Sequence, residues 1–157
     1  MASRQSAGIV MYRRRGPAIE VLLVHPGGPY WAKKDAGAWS MPKGEFDGDE
    51  APAGAARREF IEEMGHDPGG GLVPLGTFVQ SRAKTVHAFA LEGDFDHETV
   101  TSSTFEIEWP PRSGTMQSFP EIDRAGWFTL DEARARIVKG QRPILDALAA
   151  RTSGSEL

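Results

Sequence analysis

The sequence contains no cysteine, so no disulfide framework can staple it. It has no apolar run long enough to cross a bilayer as a helix, which argues against membrane insertion. Positive charge is not in surplus: 18 Lys and Arg stand against 22 Asp and Glu, for a net charge of −4. That balance argues against bulk attraction to duplex nucleic acid or an anionic membrane, and leaves room for small polyanions at a local basic site. The only tight basic run, Arg13 to Arg15, reads as a solvated strand end or turn. There is no internal repeat and no low-complexity linker. The opening MASRQSAGIVMYRRRG has too short an apolar stretch before its arginines for a secretory signal, so a cytoplasmic location is expected.

What is present suits one ordinary domain. The 157 residues are 39% hydrophobic and 25% charged, enough to bury a core without staples. We expect a single domain over residues 1–151 and a frayed tail, TSGSEL, over 152–157. SAGIVMYRR (6–14) and AIEVLLVHP (18–26) are rich in β-branched and apolar residues and are separated by Arg-Gly-Pro, so they read as two strands joined by a turn. GLVPLGTFVQ and KTVHAFALEG read as further strands, and TFEIEW (104–109) alternates apolar with polar side chains. PPRSGTMQSFPE reads as a proline-rich loop, GWFTL as a short strand, and DEARARIV and RPILDALAAR as helices. Strands on both sides of a central helix, followed by C-terminal helices, point to an α/β/α sandwich around a mixed sheet.

The central helix carries the chemistry. Asp49 or Glu50 can cap its start, Pro52 suits the first turn, and Gly65 suits the C′ position, which bounds a helix over roughly 51–64. Its last turns hold Glu59, Glu62 and Glu63. At about 100° per residue, Glu62 lies about 60° behind Glu59 and Glu63 about 40° ahead, so the three carboxylates share one narrow face. Like charges at this spacing repel by about 0.2–0.5 kcal/mol per pair, and acids at a helix C-terminus oppose the dipole. Two readings follow: a solvated acidic stripe, or a site for Mg²⁺ or Mn²⁺, whose charge would cancel the repulsion.

With its upstream loop, the segment resembles the Nudix box. Gly44, five residues, Glu50, seven residues, then Arg58-Glu59-Phe60-Ile61-Glu62-Glu63-Met64-Gly65 fills every fixed polar and glycine position of that pattern. His66 departs from it, standing where an apolar residue is usual. The resemblance implies the α/β Nudix fold and hydrolysis of a nucleoside diphosphate linked to a further group, with Mg²⁺ or Mn²⁺. By match to the motif, Glu59, Glu62 and Glu63 would hold the metal together with Gly44, and Glu59 or Glu63 would be catalytic. Arg58 would orient Glu59, while Gly44, Glu50 and Gly65 would shape the loop and helix. Arg58 and Glu50 also admit a purely architectural role.

The flanks resemble the diadenosine tetraphosphate hydrolase branch, which has a W-x-x-P-K-G start as in WSMPKG. Lys43 is then a candidate phosphate ligand, and Lys84 is a second. Glu121, six residues before Trp127-Phe128, is a candidate for metal or base duty, with Glu106 and Glu108 as competitors. Tyr30, Trp31 and Trp39 are candidate nucleobase platforms, whereas Trp109 and Trp127 are expected at the core edge. His87, on the strand of Lys84 and read as sharing its face, and His25 are weaker candidates. The Ser-x-Glu-His run of the tetraphosphate hydrolases is not complete here, only Ser118-Phe119-Pro120-Glu121. The implied substrates are dinucleoside polyphosphates or nucleoside triphosphates, with ADP-ribose, another nucleotide sugar, or an inactive nucleotide sensor as alternatives. Either a monomer or a homodimer is compatible with the sequence.

Overall fold

Apolar strand residues are buried on two opposite faces, and that sets the layers. In the computed structural model, which describes residues 4–154, β1 (Arg4–Arg15) and β2 (Ala18–Pro26) form an antiparallel pair across the Arg-Gly-Pro turn. Ala7, Ile9, Met11, Leu22 and Val24 point to one side, while Val10, Val21 and Leu23 point to the other. This period-two alternation with both faces apolar is what a sheet buried between two helical layers requires.

The remaining elements in chain order are β3 (Lys43–Phe46), α1 (Pro52–Met64), β4 (Val73–Ser81), β5 (Lys84–Glu92), β6 (Thr104–Glu108), β7 (Met116–Pro120), β8 (Ile122–Thr129), α2 (Leu130–Arg136) and α3 (Arg142–Gly154). The main sheet runs β4-β5-β1-β2-β8, with β3 added to β1. It is mixed, because β1 and β5 pair in parallel and the other ladders are antiparallel. On one face α1 buries Ala55, Ala56, Phe60 and Met64; on the other, α2 and α3 bury Ala133, Ile137, Ile144, Leu145 and Leu148. The result is the α/β/α sandwich with a mixed sheet. No helix among the described residues is long and apolar enough to cross a membrane.

Helix α1 starts and ends as its sequence suggests, with one difference. Pro52 sits in its first turn and Gly65 closes it in the left-handed region, φ 81°, its N–H donating to the Ile61 carbonyl. The N-cap is Ala51 and has no side-chain cap, so neither Asp49 nor Glu50 fills the role expected of it. Glu50 is committed instead to Arg58.

Three further expectations are corrected. The segment read as a proline-rich loop contains β7, which pairs with β6 so that Phe105 faces Phe119. Lys43–Phe46, read as part of a loop, is a strand because Gly8 allows it close to β1: a Cβ at Gly8 would lie 2.6 Å from the Pro42 carbonyl. Helix α3 continues through Gly154 and takes up Thr152, whose buried hydroxyl donates to the carbonyls of Leu148 and Ala149. The rest of the expected tail, 155–157, lies outside the described residues.

Candidate active site

Strand β3 and helix α1 meet at Gly44 and Glu59. Gly44 is held opposite Ala7 in the β1–β3 ladder. A Cβ at Gly44 would fall 1.9 Å from Glu59 Oε2 and 2.0 Å from its Cδ, so the Glu59 carboxylate fills the space a side chain would need. Glu59 is buried despite its charge, and Arg58 supports it.

Arg58 is the hub of the acidic face. Its Nε donates to Glu50 Oε2 at 2.7 Å and its Nη2 to Glu50 Oε1 at 2.8 Å, a two-pronged pairing. Its Nη1 donates to Glu59 Oε1 at 2.7 Å and to Glu62 Oε1 at 3.2 Å. The pairing with Glu50 holds that carboxyl below its ordinary range and raises the guanidinium above its own. Glu59 moves the other way: burial pushes its carboxyl up, and the charges of Glu62 and Glu121 add to the effect against the Arg58 hydrogen bond.

Glu63 shows the same physics more strongly. Burial pushes it up to about 8, reinforced by the charges of Glu59 and Glu121, although the Lys43 N–H donates to its Oε1 at 3.2 Å and the Lys43 ammonium is nearby. Glu59, Glu62, Glu63 and Glu121 thus share one electrostatic neighbourhood short of positive charge.

Hard oxygen donors and a deficit of cations are what Mg²⁺ or Mn²⁺ requires, so the residues fit such an ion by chemistry and charge. Their arrangement differs from the expected ligand set in one respect. No group of three His, Asp or Glu side chains among the described residues already converges as a cation site. The reason is visible: Glu59 Oε1 and Glu62 Oε1 turn to Arg58, and Glu63 Oε1 turns to the Lys43 backbone. What Gly44 contributes here is the space for Glu59.

Two chambers meet at Glu121, and one of them also reaches Glu63. One, of about 340 Å³, is lined by Lys43, Lys84, Glu63, Glu121, Gln80 and Gln141 among others. The other, of about 250 Å³, is lined by Gly27, Gly28, Tyr30, Trp31, Phe105 and Glu121. Pro26, Trp31 and Glu121 belong to both and form their shared wall. Tyr30 is 58% exposed, with its ring edge-on to Trp109 at 5.2 Å.

Several candidates fall elsewhere. Trp39 is 4% exposed, with His25 and Phe128 rings edge-on at 5.1 and 4.9 Å and its Nε1 donating to Asp35. It is a core residue and offers no face to a nucleobase. Trp109, expected at the core edge, lies beyond β6 against Tyr30, whereas Trp127 does border the core and donates to the Phe95 carbonyl. Glu106 and Glu108 lie on the exposed face of β6, and Glu108 accepts the N–H groups of Arg112 and Gly114 to close the β6–β7 hairpin. His87 sits on the face of β5 opposite Lys84, bonded to Gln5 and edge-on to Phe46. Gln141 was not anticipated: it is fully buried, and its Oε1 accepts the Met41 N–H at 3.1 Å while its Nε2 donates to Ser40. Nothing in the sequence signals this, because its partners lie about 100 residues away.

Solved structures share this architecture. The Ap4A hydrolase of C. elegans in a binary complex superposes with a TM-score of 0.65 at 24% identity, covering 96% of this chain and 98% of that one. The NUDIX domain of Shewanella oneidensis NrtR complexed with ADP ribose gives 0.65 at 14% identity, over 97% and 90%. A mutT/nudix family protein from Listeria innocua gives 0.66 at 17%, over 99% and 97%. At these identities the likeness is one of fold. None of the curated proteins is a significant match. The model of the NUDIX domain, however, matches residues 2–148, and with nearly the whole length matched, the chain belongs to the Nudix family of pyrophosphohydrolases.

Proposed function

We propose that this protein hydrolyses a pyrophosphate bond in a nucleoside diphosphate joined to a second group, with dinucleoside polyphosphates as the first substrate class and nucleoside triphosphates as the second. The observation that carries the reading is the cavity in which Lys43 and Lys84 stand beside Glu63 and Glu121, next to the Glu59 and Glu62 pair held by Arg58. Members of the family generally use divalent metals, and Glu59, Glu62 and Glu63 are the residues that would hold Mg²⁺ or Mn²⁺ here. Such an ion neutralises phosphate oxygens and makes bound water more acidic.

The chain's own groups do the rest. Lys43 and Lys84 supply point charges to the polyphosphate. Arg58 fixes the Glu59 carboxylate through its 2.7 Å hydrogen bond while Glu50 fixes Arg58. As water oxygen bonds to phosphorus and the P–O bond to the leaving phosphate breaks, the water proton passes to a carboxylate oxygen. Glu63 and Glu121 are the carboxylates that line the cavity and serve as candidates for that role. The second, aromatic chamber favours a two-ended substrate over a triphosphate, because a group beyond the polyphosphate has somewhere to go. ADP-ribose and other nucleotide sugars share that property.

A product-resolved screen of diadenosine polyphosphates, nucleoside triphosphates, ADP-ribose and inositol pyrophosphates, with Mg²⁺ and with Mn²⁺, tests the proposal. Turnover of a dinucleoside polyphosphate above the others supports it. No turnover of any would shift the reading to a nucleotide-binding sensor.

A further inference from the structure

His25 is the last residue but one of β2, is fully buried, and lies outside the carboxylate cluster. Its Nδ1 is 2.9 Å from Asp123 Oδ1 and its Nε2 is 2.6 Å from the Lys34 carbonyl oxygen. Each ring nitrogen is thus held by an oxygen from a separate segment, Asp123 of β8 at one end and Lys34 of the connection at the other. The Arg124 guanidinium lies 3.9 Å from Asp123 and 5.3 Å from the Trp39 ring centre. Asp35 receives Trp39 Nε1 at 2.7 Å and is bound by Arg136 of α2 at 2.9 Å. The Lys34 ammonium turns away to sit over the Trp31 ring.

These two bonds join three separate stretches: the end of β2, the connection 27–38, and the start of β8. Lys34 follows Trp31 by three residues, and Asp123 follows Glu121 by two. Between them, the Gly27 N–H donates to the Glu121 carbonyl at 2.8 Å, and a Cβ at Gly27 would meet the Pro120 carbonyl at 2.0 Å. Pro26, Trp31 and Glu121, the wall common to both chambers, are therefore suspended around one ring.

We propose that His25 is a positioning residue: its ring straps the 27–38 connection to β8 and so sets the spacing of Trp31 from Glu121 in the wall between the two chambers. The link to substrate rests on the functional reading above; the strap itself does not.

The test begins with the unmodified protein. A long-range ¹H–¹⁵N spectrum should show both His25 ring nitrogens hydrogen-bonded, and a ring with either nitrogen free of a partner overturns the proposal. Asp123→Ala, at a partly exposed position, removes the partner of Nδ1. Amides within 28–38 should then exchange about tenfold faster or more, and KM for diadenosine tetraphosphate should rise more than kcat falls. The rise in unfolding midpoint on adding Mg²⁺, which depends on α1, should persist. Unchanged amide exchange in Asp123→Ala also overturns the strap. If the unmodified protein hydrolyses no nucleotide, the functional reading fails and the ring and exchange measurements still decide the strap.

Discussion

The Glu59 carboxylate lies where the first carbon of any side chain at residue 44 would stand, 1.9 Å from an ideal Cβ on Gly44. A strand residue without a side chain and a buried acid on a helix 15 positions later are thus one feature, since either constrains the other.

Gly44→Ala is therefore expected to displace Glu59 or push β3 from β1. A shift of about 1 Å at a reacting group lowers turnover about 100-fold. Steady-state turnover of diadenosine tetraphosphate by Gly44→Ala, alongside its circular dichroism, checks this. Near-normal turnover with an intact fold would show that Glu59 needs no such placement.

In the metal-free protein, Glu63 keeps its proton up to about 8, whereas in the unfolded chain it loses it near 4.5. Between those values the folded state binds the extra proton, so stability falls as pH rises through that window. Asp35 and Asp94, held below their ordinary values, act in the opposite sense but at lower pH. The unfolding midpoint of metal-free protein should decline from about pH 5 to about pH 8, and Glu63→Gln should flatten the decline. Millimolar Mg²⁺ should also flatten it, because cation binding displaces the proton. A midpoint that rises with pH in this range would contradict the burial assigned to Glu63.

The two neighbouring tryptophans should separate cleanly. Trp39→Ala empties a core position and should lower stability by about 3–5 kcal/mol. Trp31→Ala, at an exposed position, should leave the denaturant midpoint nearly unchanged while raising KM for a nucleotide. Urea unfolding and initial-rate measurements on both variants check the pair. The reverse pattern would place the wrong ring in the cavity.

That pair also marks where the sequence stops being legible. Local signals carried far: the strands of β1 and β2 follow from their apolar runs, and the ends of α1 from Pro52 and Gly65. The Gly44 to Gly65 spacing carries the family resemblance in the sequence itself. Lost were features set by distant partners. Trp39 looks like a loop ring until β2, β8 and α2 close over it through His25, Phe128 and the Arg136 carbonyl. β7 carries little alternation of its own and exists as the partner of β6. Glu50, a plausible cap, is drawn away by Arg58 eight residues on. Each is a case of tertiary contact overriding a local preference.

The central claim is that the acids of α1 serve cation-dependent cleavage of a phosphoanhydride. Its most direct test is product-resolved hydrolysis of diadenosine tetraphosphate with and without Mg²⁺, by the unmodified protein and by Glu59→Gln of matched thermal stability. The account predicts turnover only with the cation and a loss of about 100-fold or more in the variant. Equal turnover by the two proteins, or turnover indifferent to the cation, would contradict it.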